Sequence, residues 1–196
     1  MDEQPKTIKG RNRMSYKWNI DKEFSWEGGH RVWAQKLEHE HLSLETVCAC
    51  KHLHGHSYSI KVFLGADTLD QSAMVTDFKN LNFMKQFLDD ELDHKFMIDV
   101  SDPLFERITN LAPPTDVKNF TNFGSYLRGA VYTSGQPCLR GEDQLLDSFV
   151  LVNFVPTSEN ICKYLKIYAQ EKIGNVATVT AVELWETKKS HCRYED

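Results

Sequence analysis

The run C-K-H-L-H-G-H at residues 50–56, followed directly by S-Y-S-I-K-V-F-L-G at residues 57–65, is the stretch that decides the fold of this chain. Its second half is rich in β-branched and aromatic residues and predicts a strand. Alternate residues of an extended chain point to the same face, so His54 and His56 can reach one metal ion, and Gly55 between them allows a close approach. The run therefore predicts a metal site beside the start of a strand.

A third ligand for this site has to come from another part of the chain. Catalytic zinc usually takes three protein ligands and leaves a fourth position open for water or substrate. His30 lies near the end of an aromatic-rich segment, 16–32, that also predicts a strand. If the two strands pair as a hairpin, His30 can lie across from the H-G-H pair, although the sequence does not fix their register.

Spacing alone leaves the ligand set open. Cys48, Cys50 and His52 share the parity of His54 and His56, so alternation cannot choose among them. A second pair of alternate histidines lies in the polar run H-E-H at residues 39–41. Exposed or hydrogen-bonded histidines are the alternative to a metal site.

Two helices are predicted outside this region. Apolar residues recur at helical spacing over 77–92, behind Asp77 as a capable N-cap. A second stripe follows Pro156, where Thr157 can cap the helix and Gly174 ends it.

The order of predicted elements gives the fold class. Alternation over 176–187 predicts a strand, and residues 191–194 can return beside it. Strands followed by helices in this order indicate an α+β domain, an antiparallel sheet with two helices on one face. We expect a mobile arm over 1–15 and a single domain over 16–196, with an insertion at about 99–155 that proline and glycine punctuate.

Composition excludes several kinds of partner. Lys and Arg total 23 against 28 for Asp and Glu, and the formal net charge of -5 provides no drive toward nucleic acid or anionic membranes. No apolar run is long enough to span a bilayer, and the first residues lack the apolar core of a secretory signal. Five scattered cysteines fit a reducing compartment, so we expect a cytoplasmic protein.

Several motifs occur in one order along the chain, and their combination is informative. They are F-S-W-E-G-G-H-R at 24–31, C-x-x-x-H-G-H at 50–56, M-V-T-D-F-K-N-L at 74–81, L-D-H at 92–94, P-T-S-E-N at 156–160 and W-E-T at 185–187. Together they resemble the 6-pyruvoyl and 6-carboxytetrahydropterin synthase family. The three residues between Cys50 and H-G-H resemble the carboxy-forming branch, because the pyruvoyl-forming branch usually has a longer gap.

The resemblance implies three zinc ligands, which are His30, His54 and His56. It further implies that Cys50 is the general base, and a thiol beside zinc and in reach of a histidine has reason to ionise near neutral pH. Asp93 and His94 match a pair in which the carboxylate orients an imidazole that exchanges protons with the substrate. The alternative for this pair is a helix end with a favourable histidine.

The resemblance also implies substrate-binding residues. Glu186 matches a glutamate that anchors a pterin ring through two parallel hydrogen bonds. Thr157 and Ser158 match positions near that ring, although helix capping explains Thr157 without a ligand. Arg31 and Lys51 can meet a triphosphate or can be solvated surface charges, and the sequence does not decide between these.

The activity that the resemblance implies is a zinc-dependent lyase reaction on 7,8-dihydroneopterin triphosphate that yields 6-carboxytetrahydropterin, a 7-deazaguanine and queuosine precursor. A 6-pyruvoyltetrahydropterin synthase is the alternative within the family. A non-catalytic zinc or pterin-binding scaffold is the alternative from another class. The family further implies the tunnelling fold and a homo-oligomer, a hexamer or a related assembly, with a β-barrel and with active sites at subunit interfaces.

Overall fold

The computed structural model describes residues 16–36, 48–111, 126–127 and 145–195. The predicted arm over 1–15, the H-E-H run at 39–41 and Cys138 lie outside the described residues.

Seven strands and three α-helices make up the described fold. The strands are β1 Trp18–His30, β2 His54–Ala66, β3 Lys95–Asp99, β4 Tyr126–Leu127, β5 Phe149–Val152, β6 Thr178–Thr187 and β7 Ser190–Glu195. The helices are α1 Asn82–Phe87, α2 Phe105–Thr109 and α3 Ser158–Ile173. Short 3-10 turns lie at Ala49–Lys51, Phe78–Leu81 and Leu146–Ser148, and a π-helical turn lies at Leu88–Leu92.

The strands form one mixed sheet in the order β4-β5-β3-β1-β2-β6-β7. Neighbouring strands from β1 through β2 and β6 to β7 are antiparallel, as predicted. The expectation of a wholly antiparallel sheet is wrong at the other end, because β3 runs parallel to β1 and β5 runs parallel to β3. Parallel neighbours need crossover connections, and the chain makes the first of them through β2 and α1.

The segment predicted as an insertion contributes structure to this parallel end. The run F-V-L-V at 149–152 forms β5, whose Val150 and Val152 pack in the main core. Leu151 points the other way, into a second cluster with Ile98 and Phe105. A strand covered on both faces is apolar at every position, which is why this run lacks alternation.

Both predicted helical regions are present, although the first is irregular. Over 78–92 the chain passes from a 3-10 turn through α1 to a π-helical turn, and the side chain of Asp77 accepts a hydrogen bond from the amide of Lys79 at its start. Thr157 caps α3 by accepting from the amide of Asn160, and Gly174 ends the helix with a φ of 58°. The predicted cap and stop of α3 are therefore confirmed.

The main core lies between the helices and one face of the sheet. Phe24 and Trp26 of β1 and alternate residues of β2 from Tyr58 to Leu64 point into it, together with apolar side chains of α1 and α3. No helix within the described residues is long and apolar enough to cross a membrane. The even-numbered face of β1 and β2 continues beyond the core to the strand ends, where the predicted site lies.

Candidate active site

Three histidines meet where β1 ends and β2 begins. The antiparallel register pairs His30 with His54 and Gly28 with His56, so the three imidazoles lie on the face that carries Trp26 and Tyr58 further along. One ligand atom from each histidine lies within 4.8 Å of the others. The structure thus supplies the register that the sequence left open.

Hydrogen bonds turn two of these rings toward a common centre. His30 Nδ1 is 2.6 Å from the carbonyl oxygen of Pro156, and His54 Nδ1 is 2.8 Å from that of His52. A carbonyl oxygen can only accept, so both Nδ1 atoms donate and both Nε2 atoms keep a lone pair. Burial lowers the pKa of His30 and of His56, which favours the neutral imidazole that a metal ion requires.

The residues present fit a bound metal ion. His30 is only 1% exposed, yet its Nε2 atom has no hydrogen-bond partner among the residues that the structure describes. A buried nitrogen without a partner is costly, and a cation bound among the three rings would remove this cost. Three neutral imidazoles are also a donor set that zinc takes at catalytic sites.

Gly55 has a different role from the one expected. A Cβ atom on Gly55 would lie 2.8 Å from the carbonyl oxygen of Gly28. Because residue 55 alternates with the histidines, it faces the opposite side of the sheet from them. The close approach that Gly55 permits is therefore that of the β1 backbone.

Glu186 reaches the histidine cluster from β6. Its Oε1 atom is 3.3 Å from His30 Nε2 and 3.7 Å from His56 Nε2. Sequence reasoning selected Glu186 for a pterin ring, and this nearness to the histidines was not foreseen. Only the pairing of β6 beside β2 brings the two parts of the chain together.

Cys50 lies beside the same strand end. Its carbonyl oxygen accepts from the amide of Val32 at 2.9 Å, two residues beyond His30. Burial and a hydrogen bond with Cys48 raise the pKa of the Cys50 thiol, burial being the larger cause. Protein groups alone thus oppose the predicted ionisation near neutral pH, and a nearby metal cation would act in the opposite direction.

Asp93 and His94 form a hydrogen-bonded pair at the start of β3. Asp93 Oδ2 lies 2.7 Å from His94 Nδ1, and Asp93 Oδ1 accepts from the amide of Glu27 at 2.8 Å. These bonds lower the pKa of Asp93, that from Glu27 being the largest cause, so the carboxylate is ionised and orients the imidazole.

His94 faces an open cleft. Its side chain is 79% exposed and lines a cleft of about 600 Å³ together with Glu27 and Ser57. Glu27 and Ser57 alternate with His30 and His56 along their strands, so their side chains point to the other side of the sheet. His54 and His56 also line this cleft, so His94 opens onto a cleft that adjoins the histidine cluster at the strand ends.

The start of α3 also lies beside the site. Thr157 is engaged as the helix cap, and the carbonyl oxygen of Ser158 accepts from Cys192 Sγ at 3.2 Å. Pro156, immediately before them, supplies the carbonyl that orients His30. Sequence reasoning could not identify this role, because a main-chain carbonyl group is not marked by any particular residue type.

Tyr58 is a second residue that sequence reasoning missed. Its ring centroid is 5.6 Å from that of His56 and 6.0 Å from that of His30, and it stacks on Trp26 at 4.7 Å. The side chain is buried, and no described residue forms a hydrogen bond with its hydroxyl group. Alternation along β2 could have found it, since Tyr58 follows His54 and His56 at the same parity.

Arg31 is neither a solvated charge nor a free phosphate ligand. Its guanidinium binds both carboxylate oxygens of Asp102, at 2.5 and 2.6 Å, and donates to the carbonyl oxygen of Lys51 at 2.7 Å. The side chain of Asp102 is fully buried. Arg31 therefore connects the end of β1 to the turn that carries Cys50.

The mixed sheet with two helical regions on one face and a three-histidine cluster at a strand end defines a protein of the tunnelling-fold class. The family model described as "6-pyruvoyl tetrahydropterin synthase" matches residues 19–196. The chain belongs to the 6-pyruvoyl tetrahydropterin synthase family.

Individual relatives agree with this assignment. The 6-carboxy-5,6,7,8-tetrahydropterin synthase of Aquifex aeolicus is 30% identical over 92% of this chain and 99% of its own length. A crystal structure of an uncharacterized protein from Wolinella succinogenes is 36% identical with a TM-score of 0.73, covering 91% of this chain and 98% of that one. The 6-pyruvoyl tetrahydropterin synthase of Caenorhabditis elegans, at 20% identity and a TM-score of 0.52 over 91% and 95% of the two chains, shares the fold.

These findings confirm the family and the fold predicted from the motifs. They also confirm, at the level of the family, that the chain is an enzyme.

Proposed function

We propose that the protein is a zinc-dependent lyase that converts 7,8-dihydroneopterin triphosphate to 6-carboxy-5,6,7,8-tetrahydropterin, a precursor of 7-deazaguanines such as queuosine. The observation that carries the proposal is the convergence of His30, His54 and His56 on one centre, with a buried nitrogen that lacks a partner. The name of the Aquifex aeolicus relative supports the carboxy-forming reaction. A cytoplasmic location agrees with a soluble, phosphorylated substrate.

Zinc held by the three histidines would act as a Lewis acid toward the hydroxyl groups of the substrate side chain. Cys50, beside the same strand end, would take a proton from that side chain as the general base. With one molecule of water consumed, loss of acetaldehyde and triphosphate would then leave the carboxyl group on the tetrahydropterin ring. Neutral imidazole ligands suit this role because they leave the ion its full charge.

The remaining predicted residues would bind and protonate the substrate. The Glu186 carboxylate can accept two parallel hydrogen bonds from the amino-pyrimidine edge of the pterin, near Thr157 and Ser158 at the start of α3. His94, oriented by the ionised Asp93, would exchange protons with the side chain.

We further propose that the active enzyme is a homo-oligomer, a hexamer or a related assembly. The side chains of Glu27 and Ser57 beside His94 point to the face of the sheet opposite the three imidazoles, which supports a site that a neighbouring subunit completes. The sheet also ends at β4 and β7, and pairing of such edges between copies into a barrel would satisfy their backbone groups.

The proposed reaction is tested by incubating zinc-loaded protein with dihydroneopterin triphosphate and identifying the pterin product by mass. We expect 6-carboxytetrahydropterin from the wild type and from Cys48→Ala, which removes a thiol from the same loop, but not from Cys50→Ala. A 6-pyruvoyltetrahydropterin product would show that the protein catalyses the pyruvoyl-forming reaction of the family instead. Folded, zinc-bound protein that forms no product would favour a binding scaffold.

A further inference from the structure

Glu186 occupies an unusual position for a residue that only binds a pterin ring. It lies beyond Trp185, the last residue of β6 that pairs with β2, and at an irregularity in the pairing of β6 with β7. Such irregularities re-aim side chains. Here the carboxylate is directed at the histidine cluster and remains 25% exposed.

The contact between Glu186 and His30 is not a hydrogen bond. His30 donates through Nδ1 to Pro156, so its Nε2 atom presents a lone pair. Within the described part of the chain that atom has no hydrogen-bond partner, although Glu186 Oε1 lies 3.3 Å away. A lone pair and a carboxylate oxygen repel each other at this distance unless a cation lies between them. The arrangement is that of two ligands facing a common centre.

The distances agree with this interpretation. Zinc bonds to nitrogen and oxygen of about 2.0–2.2 Å, at tetrahedral angles, separate two ligand atoms by about 3.4 Å. Glu186 Oε1 is 3.3 Å from His30 Nε2 and 3.7 Å from His56 Nε2. The carboxylate oxygen thus lies at ligand spacing from two of the three histidines, whereas the group of ligand atoms within 4.8 Å of one another consists of the histidines alone.

We infer that Glu186 is an exchangeable fourth ligand, which binds the metal ion before the pterin arrives and leaves it to bind the pterin ring. This inference rests on the proposed function, in which the same carboxylate binds the pterin ring. A carboxylate that turns to accept two parallel hydrogen bonds directs both oxygens at the ring, so the oxygen that faced the metal ion moves away from it. Binding of the correct ring would therefore open the fourth position only when substrate is present.

The inference is tested with Co²⁺, whose visible absorption reports its ligands, in wild type, Glu186→Gln and the control Glu183→Gln. Glu183 lies on the same strand, but its carboxylate binds Arg193. We expect Glu186→Gln to weaken Co²⁺ affinity by at least about tenfold and to change the spectrum, and Glu183→Gln to match wild type. An unchanged affinity and spectrum in Glu186→Gln would overturn the inference.

A second measurement needs no variant. Addition of 7,8-dihydroneopterin, which lacks the triphosphate, to the Co²⁺-loaded wild type should change the visible spectrum as the carboxylate leaves. Binding of the pterin, followed by its own fluorescence, with no change in the Co²⁺ spectrum would overturn the exchange. Because neither readout needs turnover, a failure of the proposed reaction would be seen separately in the product assay.

Discussion

His30 combines deep burial, a fixed tautomer and a nitrogen without a partner. Burial and a fixed tautomer are common in core histidines, whereas a buried nitrogen without a partner is rare. Together they indicate a ring that is held in place to bind a cation, with the main-chain carbonyl of Pro156 as the group that orients it.

The lowered pKa of His30 and His56 predicts how metal binding depends on pH. Protons compete with the metal ion for imidazole, and a pKa below the ordinary 6.5 or so moves this competition to more acid pH. We expect Co²⁺ affinity, measured against a competing chelator, to stay constant from about pH 8 to 6.5 and to weaken only below that. A loss of Co²⁺ affinity already between pH 8 and 7 would contradict the conclusion that the His30 and His56 rings are neutral in the folded protein.

The same shifts predict the sign of acid destabilisation. Below the ordinary histidine pKa the unfolded chain binds protons that the buried rings of the folded protein resist. We expect the free energy of unfolding in urea, without added metal, to decrease as the pH falls below about 6.5. Replacement of His30 by Asn should reduce this dependence, and an equal slope in that variant would contradict the assignment.

The Cys48 thiol is predicted to oppose ionisation of the Cys50 thiol. The hydrogen bond between them is one cause of the raised Cys50 pKa, so Cys48→Ala should lower that pKa and increase the thiolate fraction at neutral pH. The rate of Cys50 alkylation by iodoacetamide, followed by peptide mass over a pH series, measures this. The expected profile moves to lower pH, and an unmoved profile would show that burial alone sets the pKa.

At the scale of the elements, the pairing of β1 with β2 depends on close backbone contact at Gly55. A methyl group there would lie 2.8 Å from the carbonyl oxygen of Gly28, and relief requires the strand ends to separate where His30 faces His54. We expect Gly55→Ala to cost about 1–3 kcal/mol of unfolding free energy and to weaken metal binding. Urea unfolding and Co²⁺ titration measure these effects.

The matched control for this prediction is Ser59→Ala on the same strand and face. Ser59 donates a hydrogen bond to Glu23, and both partners can be solvated, so its removal should change little. Equal effects of the two substitutions on the free energy of unfolding and on Co²⁺ binding would show that the close backbone contact at Gly55 is not required.

The sequence predicted the elements that are covered on one face only, because apolar residues recur along them at a recognisable spacing. Alternation placed His54 and His56 on one face, and cap and stop residues gave the start and end of α3. It did not predict the parallel strands, because β5 is covered on both sides and so loses its alternation. The position of Glu186 beside His30 also could not be foreseen, since it depends on the register of two strands far apart in the chain.

At the scale of the whole molecule, the proposed assembly makes a prediction about mixed subunits. If Cys50 of one subunit works with His94 of another, Cys50→Ala and His94→Ala proteins are each inactive but complement one another after they are unfolded and refolded together. Product should then appear in the mixture alone. Mixtures that remain inactive, although mass measurements show mixed oligomers, would place both residues in one chain's site.

The proposed function has a metal ion at its centre, at the end of β1 and the start of β2, where the three histidines could hold one. The most direct test is a titration of zinc into chelator-treated protein with dihydroneopterin triphosphate present, in which 6-carboxytetrahydropterin formation is measured at each addition. Our account predicts that the rate rises in proportion to zinc and stops rising at one ion per chain. Product formation without zinc, or zinc bound in that proportion with no product, would contradict it.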